Sequence, residues 1–381
     1  MKSVIAPIII TLISIHLVIL YSIAPYGYSL SSLIGISKQE KESVAPEYFQ
    51  KGMVIFEDKG GYDGQFYYCV AMDPFLKKGH FKNAFRQQRI LYPLIARLLA
   101  FGKERFLAHS LYLTNLLGLS MGMYFFILLL RRQFLHPMWS IFYGLSASSI
   151  MAILHDTPSA LSIGLIIAAT YFYMQNKRIL TIAFMAAAFL AREDSIVFLL
   201  PLLIWDYQCK KTIKRIAVFL TCLIPFFIWQ VFVAKKTGLI PLFISQKALG
   251  PIPFSGIIGY ITTLNCQSLK ELAWRMGTVV VFLYLAALLI ITVKKIFCKK
   301  HLFYYVVMAY CLLALFTMPM QWRSYNDLVR MFYGLFPFLV LSYGLDKDVT
   351  LRKFVFFSAF FSLMALVRIL LFREIFPFFI W

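Results

Sequence analysis

Long apolar runs separated by short basic clusters constrain the fold of this chain more than any other feature of its sequence. An α-helix needs about 20 mainly apolar residues to cross the hydrocarbon core of a bilayer. By that measure the chain has about eleven candidate spans, with approximate bounds 4–22, 106–130, 138–154, 158–174, 179–191, 195–205, 216–234, 276–293, 302–318, 331–345 and 354–371. The runs 179–191 and 195–205 are short, and they can also be broken or half-embedded helices. The pattern predicts an all-α polytopic membrane protein in which residues 1–381 form a single integral membrane domain.

Composition indicates the same class of protein. Of the 381 residues, 61% are hydrophobic and 14% are charged, whereas soluble proteins have about 45–50% apolar and about 25% charged residues. The net charge of +21 would suit nucleic acid if the basic residues lay along one soluble face, but they fall between apolar runs. We therefore expect membrane lipid as a partner and no nucleic acid. The run 4–22 has no small-residue cleavage site, which predicts a retained first span.

The short basic clusters sort to one side of the predicted membrane. Lysine and arginine in short loops mark the cytoplasmic side of a membrane protein. With a cytoplasmic N-terminus, that side receives every strong short cluster, at 131–132, 177–178, 210–215, 294–300 and 347–353. The opposite side receives a long first extracytoplasmic loop at 26–104, with interfacial helices, and a second loop at 235–275. The inner side is thus predicted to have bare basic anchors, which are short clusters of lysine and arginine. The outer side is predicted to have polar groups of both charges.

The first extracytoplasmic loop contains the densest polar and aromatic motif of the chain, GGYDGQFYYCVAMDP at 60–74. Gly60, Gly61 and Gly64 tolerate backbone angles that residues with a Cβ resist, so we expect a tight turn that presents Asp63. A carboxylate held at a membrane surface can take a proton from a hydroxyl, which is the work of a general base. The alternative is a turn that leads into an interfacial aromatic helix and has no chemical role.

Other side chains of the same motif suit a sugar. Tyr62 and Tyr67 offer flat amphipathic rings for stacking, and Gln65 offers hydrogen bonds. Asp73 precedes Pro74, and this pair commonly begins a turn. We expect Asp73 to be mainly structural, with contact to a substrate or a metal as the second possibility.

A basic amphipathic stretch follows at 85–101, FRQQRILYPLIARLLAF. It predicts one interfacial helix, or two if Pro93 starts or kinks the second. Arg86 and Arg89 can hold a lipid phosphate, because a guanidinium matches phosphate oxygens in bidentate fashion. Simple contact of these side chains with lipid headgroups is an equal alternative.

Three charged residues, Arg192, Glu193 and Asp194, lie between two apolar runs with almost no polar padding. Charges at membrane depth are costly and usually face a cavity or a partner. This turn is therefore a candidate substrate-binding element, with a local Arg–acid pair that closes a tight hairpin as the alternative.

Two further polar groups are weaker candidates. His155 and Asp156 can form a proton relay or bind a metal, but Asp156 followed by Pro158 also predicts an ordinary helix N-cap. Arg323 can contact substrate, or it can pair with Asp327 one helical turn away.

Cysteine spacing gives little information. The six cysteines include no CxxC pair and no metal-ligand spacing. Cys69 and Cys266 both fall on the predicted outer side, where a disulfide between them is possible but unsupported. No cofactor is certain, and a divalent metal stays open.

The quoted motifs resemble those of known proteins. The segment GYDGQFYYCVAMDPF followed by RQQRILYPLIARLLAFG, with AFLAREDSIVFLLPLLIW further along, resembles a bacterial group of cell-surface glycopolymer proteins within the GT-C class of membrane glycosyltransferases. That resemblance covers about 40 residues of the first loop plus the later segment. It implies a polyprenyl-phosphate-linked sugar donor, inversion at the anomeric carbon and Asp63 as the base.

These observations lead to one expected function and two alternatives. We expect an inverting hexosyl- or pentosyltransferase at the outer face of a bacterial plasma membrane, acting on a glycan or lipid acceptor. Asp63 would be the base, and Arg86, Arg89 or Arg192 would bind the donor phosphate. Tyr62, Gln65 and Tyr67 would hold the sugar, and Glu193 would be a further substrate-binding residue. A flippase for a lipid-linked glycan would instead need functional charges within its spans. A non-catalytic component of polysaccharide assembly would tolerate substitutions in the motif.

Overall fold

A computed structural model describes residues 2–38, 48–57, 61–78, 83–244, 250, 252–262, 269–319, 322 and 332–372. The structure is 79% helical. Within the described ranges the strands are β1 (Ile36–Ser37) and β2 (Ile55–Phe56), which form a short parallel pair. The prediction of an all-α protein is therefore confirmed.

The α-helices fall into an N-terminal and a C-terminal set. The first set is α1 (Lys2–Ile23), α2 (Asp63–Met72), α3 (Ala84–Gln87), α4 (Leu91–Leu99), α5 (Leu107–Arg132), α6 (Trp139–Gly144), α7 (Ala147–Leu154), α8 (Ser159–Met174) and α9 (Arg178–Ala191). The second set is α10 (Ile196–Lys210), α11 (Ile213–Leu220), α12 (Ile224–Thr237), α13 (Pro241–Ile244), α14 (Ser255–Thr262), α15 (Leu269–Lys299), α16 (Leu302–Leu315), α17 (Leu335–Asp346) and α18 (Val349–Phe372). Short 3-10 turns occur at Ala24–Tyr26, Leu30–Ile34, Glu104–Phe106, Glu193–Ser195 and Thr221–Leu223.

Several helices are suited to a bilayer. Among the described residues, five segments are long and apolar enough to cross a membrane, namely Val4–Tyr26, Glu104–Arg132, Ile213–Thr237, Arg275–Lys299 and Val349–Val367. Other apolar helices are shorter, and the 14 residues of α9 reach only about 21 Å, less than a hydrocarbon core of about 30 Å. Helix length and composition thus indicate an integral membrane protein, whereas the total of eleven spans stays a prediction.

The predicted third span, 138–154, is two helices instead of one. Ser146 has an extended backbone between α6 and α7, and its Oγ accepts a hydrogen bond from the backbone N–H of Ser149. This side chain caps the N-terminus of α7, so α7 begins as a helix separate from α6. Every residue of α7 is buried, so the segment is enclosed by protein and does not face lipid.

Helices α5 and α8 pack closely against each other in the bundle interior. A Cβ added to Gly164 of α8 would lie 2.2 Å from the carbonyl oxygen of Gly118 in α5. Small residues let two helix backbones approach closely, which is the usual means of packing helices in membranes. The first twelve residues of α8, from Ser159 to Thr170, are all buried, so α8 is central to the fold.

The stretch 85–101 has the two-helix form of the prediction. Its helices are α3 and α4, and Pro93 is the third residue of α4. Proline is tolerated in the first turn of a helix, where its missing N–H has no intrahelical acceptor. The stretch is therefore interrupted between Gln88 and Ile90, with Arg86 on α3, Arg89 between the two helices and Arg97 on α4.

The motif glycines serve close packing, which differs from the predicted tight turn. Neither Gly61 nor Gly64 has a positive φ, and Gly60 lies outside the described residues. A Cβ on Gly64 would lie 2.7 Å from the carbonyl oxygen of Ile34 and 2.8 Å from that of His155. Gly64 thus lets the first turn of α2 touch two other backbone segments.

We expect Gly64→Ala to destabilise the protein by about 1–3 kcal/mol, because two backbone carbonyls would have to move to admit the methyl group. The measurement is the thermal unfolding midpoint in detergent. Gly277→Ala is the matched control, since a Cβ there meets no atom within 4 Å. Equal midpoints for the two variants would contradict the close-packing role of Gly64.

Some of the predicted bare basic anchors are paired. Arg215 donates from Nε to Asp206 Oδ2 at 2.9 Å, and Lys295 donates to Asp346 Oδ2 at 3.1 Å. Lys299 also contacts Asp346. These pairs join neighbouring helix ends, so the basic clusters have a structural role as well as a topological one.

The native cysteines allow a test of the predicted orientation. Cys209 and Cys298 are exposed and adjoin two of the basic clusters, whereas Cys69 is buried in α2. Cys266 lies outside the described residues, so the structure does not test whether it pairs with Cys69.

In a Cys266→Ser background, we expect a membrane-impermeant maleimide to label Cys209 and Cys298 only after cells are permeabilised. The reason is that the neighbouring lysines face the cytosol under the positive-inside rule. The measurement is the mass of the labelled protein, with each cysteine replaced in turn as a control. Labelling of both cysteines on intact cells would show that the predicted topology is inverted.

Candidate functional site

Asp63 is the first residue of α2 and pairs with an arginine. Arg86 Nη2 lies 2.5 Å from Asp63 Oδ1, and the preceding chain is fixed because Tyr62 donates its backbone N–H to Gly35 O at 2.9 Å. A carboxylate is favoured at a helix N-terminus, where the backbone N–H groups give a partial positive charge. Both side chains keep some exposure, 18% for Asp63 and 16% for Arg86. The acid is therefore paired with a cation and still reachable from solvent.

Arg89 is the buried centre of a second ion pair. Its Nε donates to Glu193 Oε2 at 2.8 Å, its Nη2 donates to Glu193 Oε1, and its Nη1 donates to the hydroxyl of Tyr67 at 2.7 Å. Burial alone would lower the pKa of Arg89, but the Glu193 carboxylate raises it well above its usual value. Burial likewise acts to raise the pKa of Glu193, but Arg89 outweighs it and holds that pKa at about 2. This pair joins the first loop to the turn between α9 and α10.

The segment 86–89, which we call the arginine strap, is fixed by its two glutamines. Gln87 Nε2 donates to Pro74 O at 2.7 Å, and Trp229 Nε1 donates to Gln87 O at 2.8 Å. Gln230 Nε2 donates to Gln88 Oε1 at 3.1 Å. Neither amide was expected to have a role, although a pair of amides between two arginines is a signal that the sequence contains. They attach the strap to α12.

The remaining motif residues are mostly engaged with the protein itself. Gln65 is buried, and its Oε1 accepts a hydrogen bond from the Ser37 backbone N–H at 3.1 Å. Tyr67 is fully buried, so its ring is not open to a sugar and its hydroxyl binds Arg89 instead. Tyr62 is half-buried and lies over His155, with ring centroids 3.7 Å apart. Of the three predicted sugar contacts, Tyr62 keeps the most open surface.

Asp73 shapes the turn after α2. Its Oδ1 accepts from the Lys77 backbone N–H at 2.8 Å, and its Oδ2 accepts from that of Lys78 at 2.7 Å. The side chain is buried. This is the structural role that the Asp-Pro sequence predicts.

Asp156 does not cap α8, which differs from the predicted N-cap. Its backbone is left-handed, with φ of 44°, whereas a capping residue has an extended backbone. The hydroxyl of Tyr92 donates a hydrogen bond to the buried Asp156 Oδ1 at 3.5 Å. The same hydroxyl accepts a hydrogen bond from Asn115 Nδ2 at 2.9 Å. Burial raises the pKa of Asp156 well above its usual value, although the hydrogen bonds from Tyr92 and Asn115 act to lower it. Asp156 thus lies behind α2 as a buried acid.

Arg192 and Asp194 form one wall of a small pocket. Arg192 Nη1 donates to Ser159 Oγ, and its Nη2 lies 2.6 Å from Asp194 Oδ2. The local Arg–acid pair of the alternative interpretation is therefore present. The pocket is lined by Ser159, Ser162, Ile163, Ile166, Arg192, Asp194 and Tyr310.

The structure brings the predicted site residues together in two ion pairs. Asp63 contacts Arg86, and Arg89 contacts Glu193, while Arg192 immediately precedes Glu193 in the same turn. Arg323 and Asp327 lie outside the described residues. Among the residues that the structure describes, no group of three or more His, Cys, Asp or Glu side chains could hold a metal ion. The assembled groups are an acid, a guanidinium beside it and a rigid buried pair behind them.

No protein-family model, curated protein or solved structure matches this chain. The assignment of a function therefore depends on the residues and contacts described above.

Proposed function

We propose that the protein is an inverting glycosyltransferase that uses a polyprenyl-phosphate-linked sugar at the outer face of a bacterial plasma membrane. Its acceptor is a cell-surface glycan or lipid. The observation that carries the proposal is the pairing of Asp63 with Arg86 at the start of α2, which puts a proton acceptor and a phosphate-binding cation in one place. The motif resemblance supports the same reaction.

In this reaction Asp63 takes the proton of the acceptor hydroxyl while that oxygen attacks the anomeric carbon. The bond between the anomeric carbon and the phosphate oxygen breaks, and its electron pair leaves with the polyprenyl phosphate. A fixed cation near the phosphate stabilises the charge that develops there. The Arg89–Glu193 pair keeps the strap in position, because a buried bidentate pair has one favoured geometry.

The direct test is turnover by the purified protein. It is incubated in detergent or nanodiscs with a panel of polyprenyl-phosphate sugars and candidate acceptors, with and without Mg²⁺ and a chelator. Release of polyprenyl phosphate that requires both donor and acceptor supports the proposal, and Asp63→Asn is the inactive control.

Two other results would favour the alternatives. Transbilayer movement of an intact lipid-linked glycan in proteoliposomes, without release of polyprenyl phosphate, would indicate a flippase. Cells that assemble their surface polysaccharide normally with Asp63→Asn would indicate a non-catalytic component.

A further inference from the structure

The three arginines predicted to bind phosphate differ in how fully they are engaged. Arg89 is buried and uses Nε, Nη1 and Nη2 on Glu193 and Tyr67. Arg192 is held by Ser159 and by Asp194 of its own turn. Arg86 contacts the proposed base itself, through one Nη2 contact with Asp63.

We infer that Arg86 exchanges Asp63 for the donor phosphate, so that binding of the donor moves this guanidinium away from the carboxylate that acts as base. This inference rests on the proposed function. It names Arg86 as the phosphate ligand and makes the resting ion pair an inactive arrangement of the same site.

The surroundings of Arg86 allow this exchange at small cost. Its guanidinium carbon lies 4.8 Å from the ring centroid of Phe85, 5.4 Å from that of Phe66 and 5.9 Å from that of Tyr67. Aromatic faces attract a guanidinium without fixing its orientation as a bidentate carboxylate does. The cation can therefore change its anionic partner while it stays among these rings.

The distance to be covered is also small. A reacting oxygen lies about 3 Å from the carbon that it attacks, and the base lies about 3 Å from that oxygen. The phosphate oxygen that leaves is then about 6–7 Å from Asp63. An arginine side chain can cover this distance while α3 keeps its place.

After the exchange, the charges change during transfer in the direction that holds Arg86 on the phosphate. Before transfer Asp63 and the phosphodiester each have one negative charge. Afterwards the proton is on Asp63, which is neutral, and the released phosphate monoester has gained the electron pair of the broken bond. Arg86 thus loses its attraction to Asp63 as its attraction to the phosphate increases, so it binds the transition state better than the ground state.

The test is the affinity of three variants for a synthetic polyprenyl monophosphate in nanodiscs of neutral lipid. We expect Asp63→Asn to bind it about tenfold more tightly than the unchanged protein, because the competing charged hydrogen bond is gone. We expect Arg86→Gln to bind it at least about tenfold more weakly. In the double variant the gain from Asp63→Asn should vanish.

Controls test which phosphate compound is bound and whether each variant is folded. Arg105→Gln changes an exposed arginine just after the first loop and should leave the affinity unchanged. Inorganic phosphate should compete with polyprenyl monophosphate for the protein, and this competition should also depend on Arg86. Binding of the protein to phosphatidylglycerol nanodiscs, in contrast, should not change with Asp63→Asn. Thermal unfolding of each variant confirms that it is folded.

The outcomes are distinguishable. The exchange is overturned if Asp63→Asn and the unchanged protein bind polyprenyl monophosphate with equal affinity. It is also overturned if Asp63→Asn gives the same gain in affinity in an Arg86→Gln background. In either case, turnover of donor by the unchanged protein would leave the proposed function standing. An effect of Asp63→Asn confined to phosphatidylglycerol also overturns the exchange. Failure of the unchanged protein to bind any polyprenyl phosphate or to turn over any donor refutes the proposed function together with the exchange.

Discussion

Asp63→Asn is expected to lower turnover by about 10²–10⁴-fold, the usual contribution of a general base. The amide is nearly isosteric with the carboxylate, so it keeps a contact with Arg86 and the start of α2, but it cannot accept a proton. The measurement is the initial rate of polyprenyl phosphate release, with monodisperse protein as evidence of folding.

Two companion variants sharpen this test. Asp73→Asn should be close to normal, since its amide oxygen can still accept one of the two backbone N–H groups that the carboxylate binds. Asp63→Glu should be poor, because one added methylene shifts the carboxylate by about 1 Å or more. Near-normal turnover by Asp63→Asn would remove Asp63 as the base and direct the search to Glu193, Asp194 or Asp156.

The second large effect is expected at the buried ion pair. Glu193→Ala should lower the free energy of unfolding by about 3–5 kcal/mol, because it leaves the buried Arg89 without its carboxylate. The measurement is the thermal unfolding midpoint in detergent. Glu104→Ala is the matched control, since Glu104 forms a solvent-exposed pair with Lys78 at 3.9 Å, and such pairs contribute about 0–1 kcal/mol. A similar small shift for both variants would contradict the structural role of Glu193.

The same pair gives a pH dependence of defined sign. The pKa of Glu193 is lowered from 4.5 to about 2, so the folded state favours the charged form more than the unfolded state does. Its contribution to stability is therefore complete above pH 4.5 and is lost as the pH falls toward 2. Titrating the unfolding midpoint over this range should show the loss in the unchanged protein and not in Glu193→Gln.

Local features of this fold could be predicted from sequence because each depends on a few neighbouring residues. Hydropathy was enough for the helical class, Pro93 for the division of 85–101 into two helices, and Pro74 for the turn at Asp73. In each case the physical cause lies within one or two helical turns of the residue concerned.

The site itself depends on contacts between distant segments, which no local pattern contains. Arg89 and Glu193 are 104 residues apart in the chain. Gln87 finds Trp229 only because the first loop packs against α12. Likewise, Asp156 contacts Tyr92 of α4 instead of capping α8, because its place in the packed interior outweighs the local preference for an N-cap. Residue types can therefore suggest the members of the site, but only the packing shows which of them meet.

The attachment of the arginine strap to α12 has a consequence for the lipid environment. Trp229 and Gln230 belong to the segment Ile213–Thr237, whose apolar part, 216–234, extends about 29 Å when helical. This matches a hydrocarbon core of about 30 Å, so in a thinner or thicker bilayer the helix has to tilt or kink, or the lipid has to deform. We expect such a change to strain the hydrogen bonds that Trp229 and Gln230 donate to Gln87 and Gln88. Acyl-chain length is therefore expected to influence the position of the arginine strap.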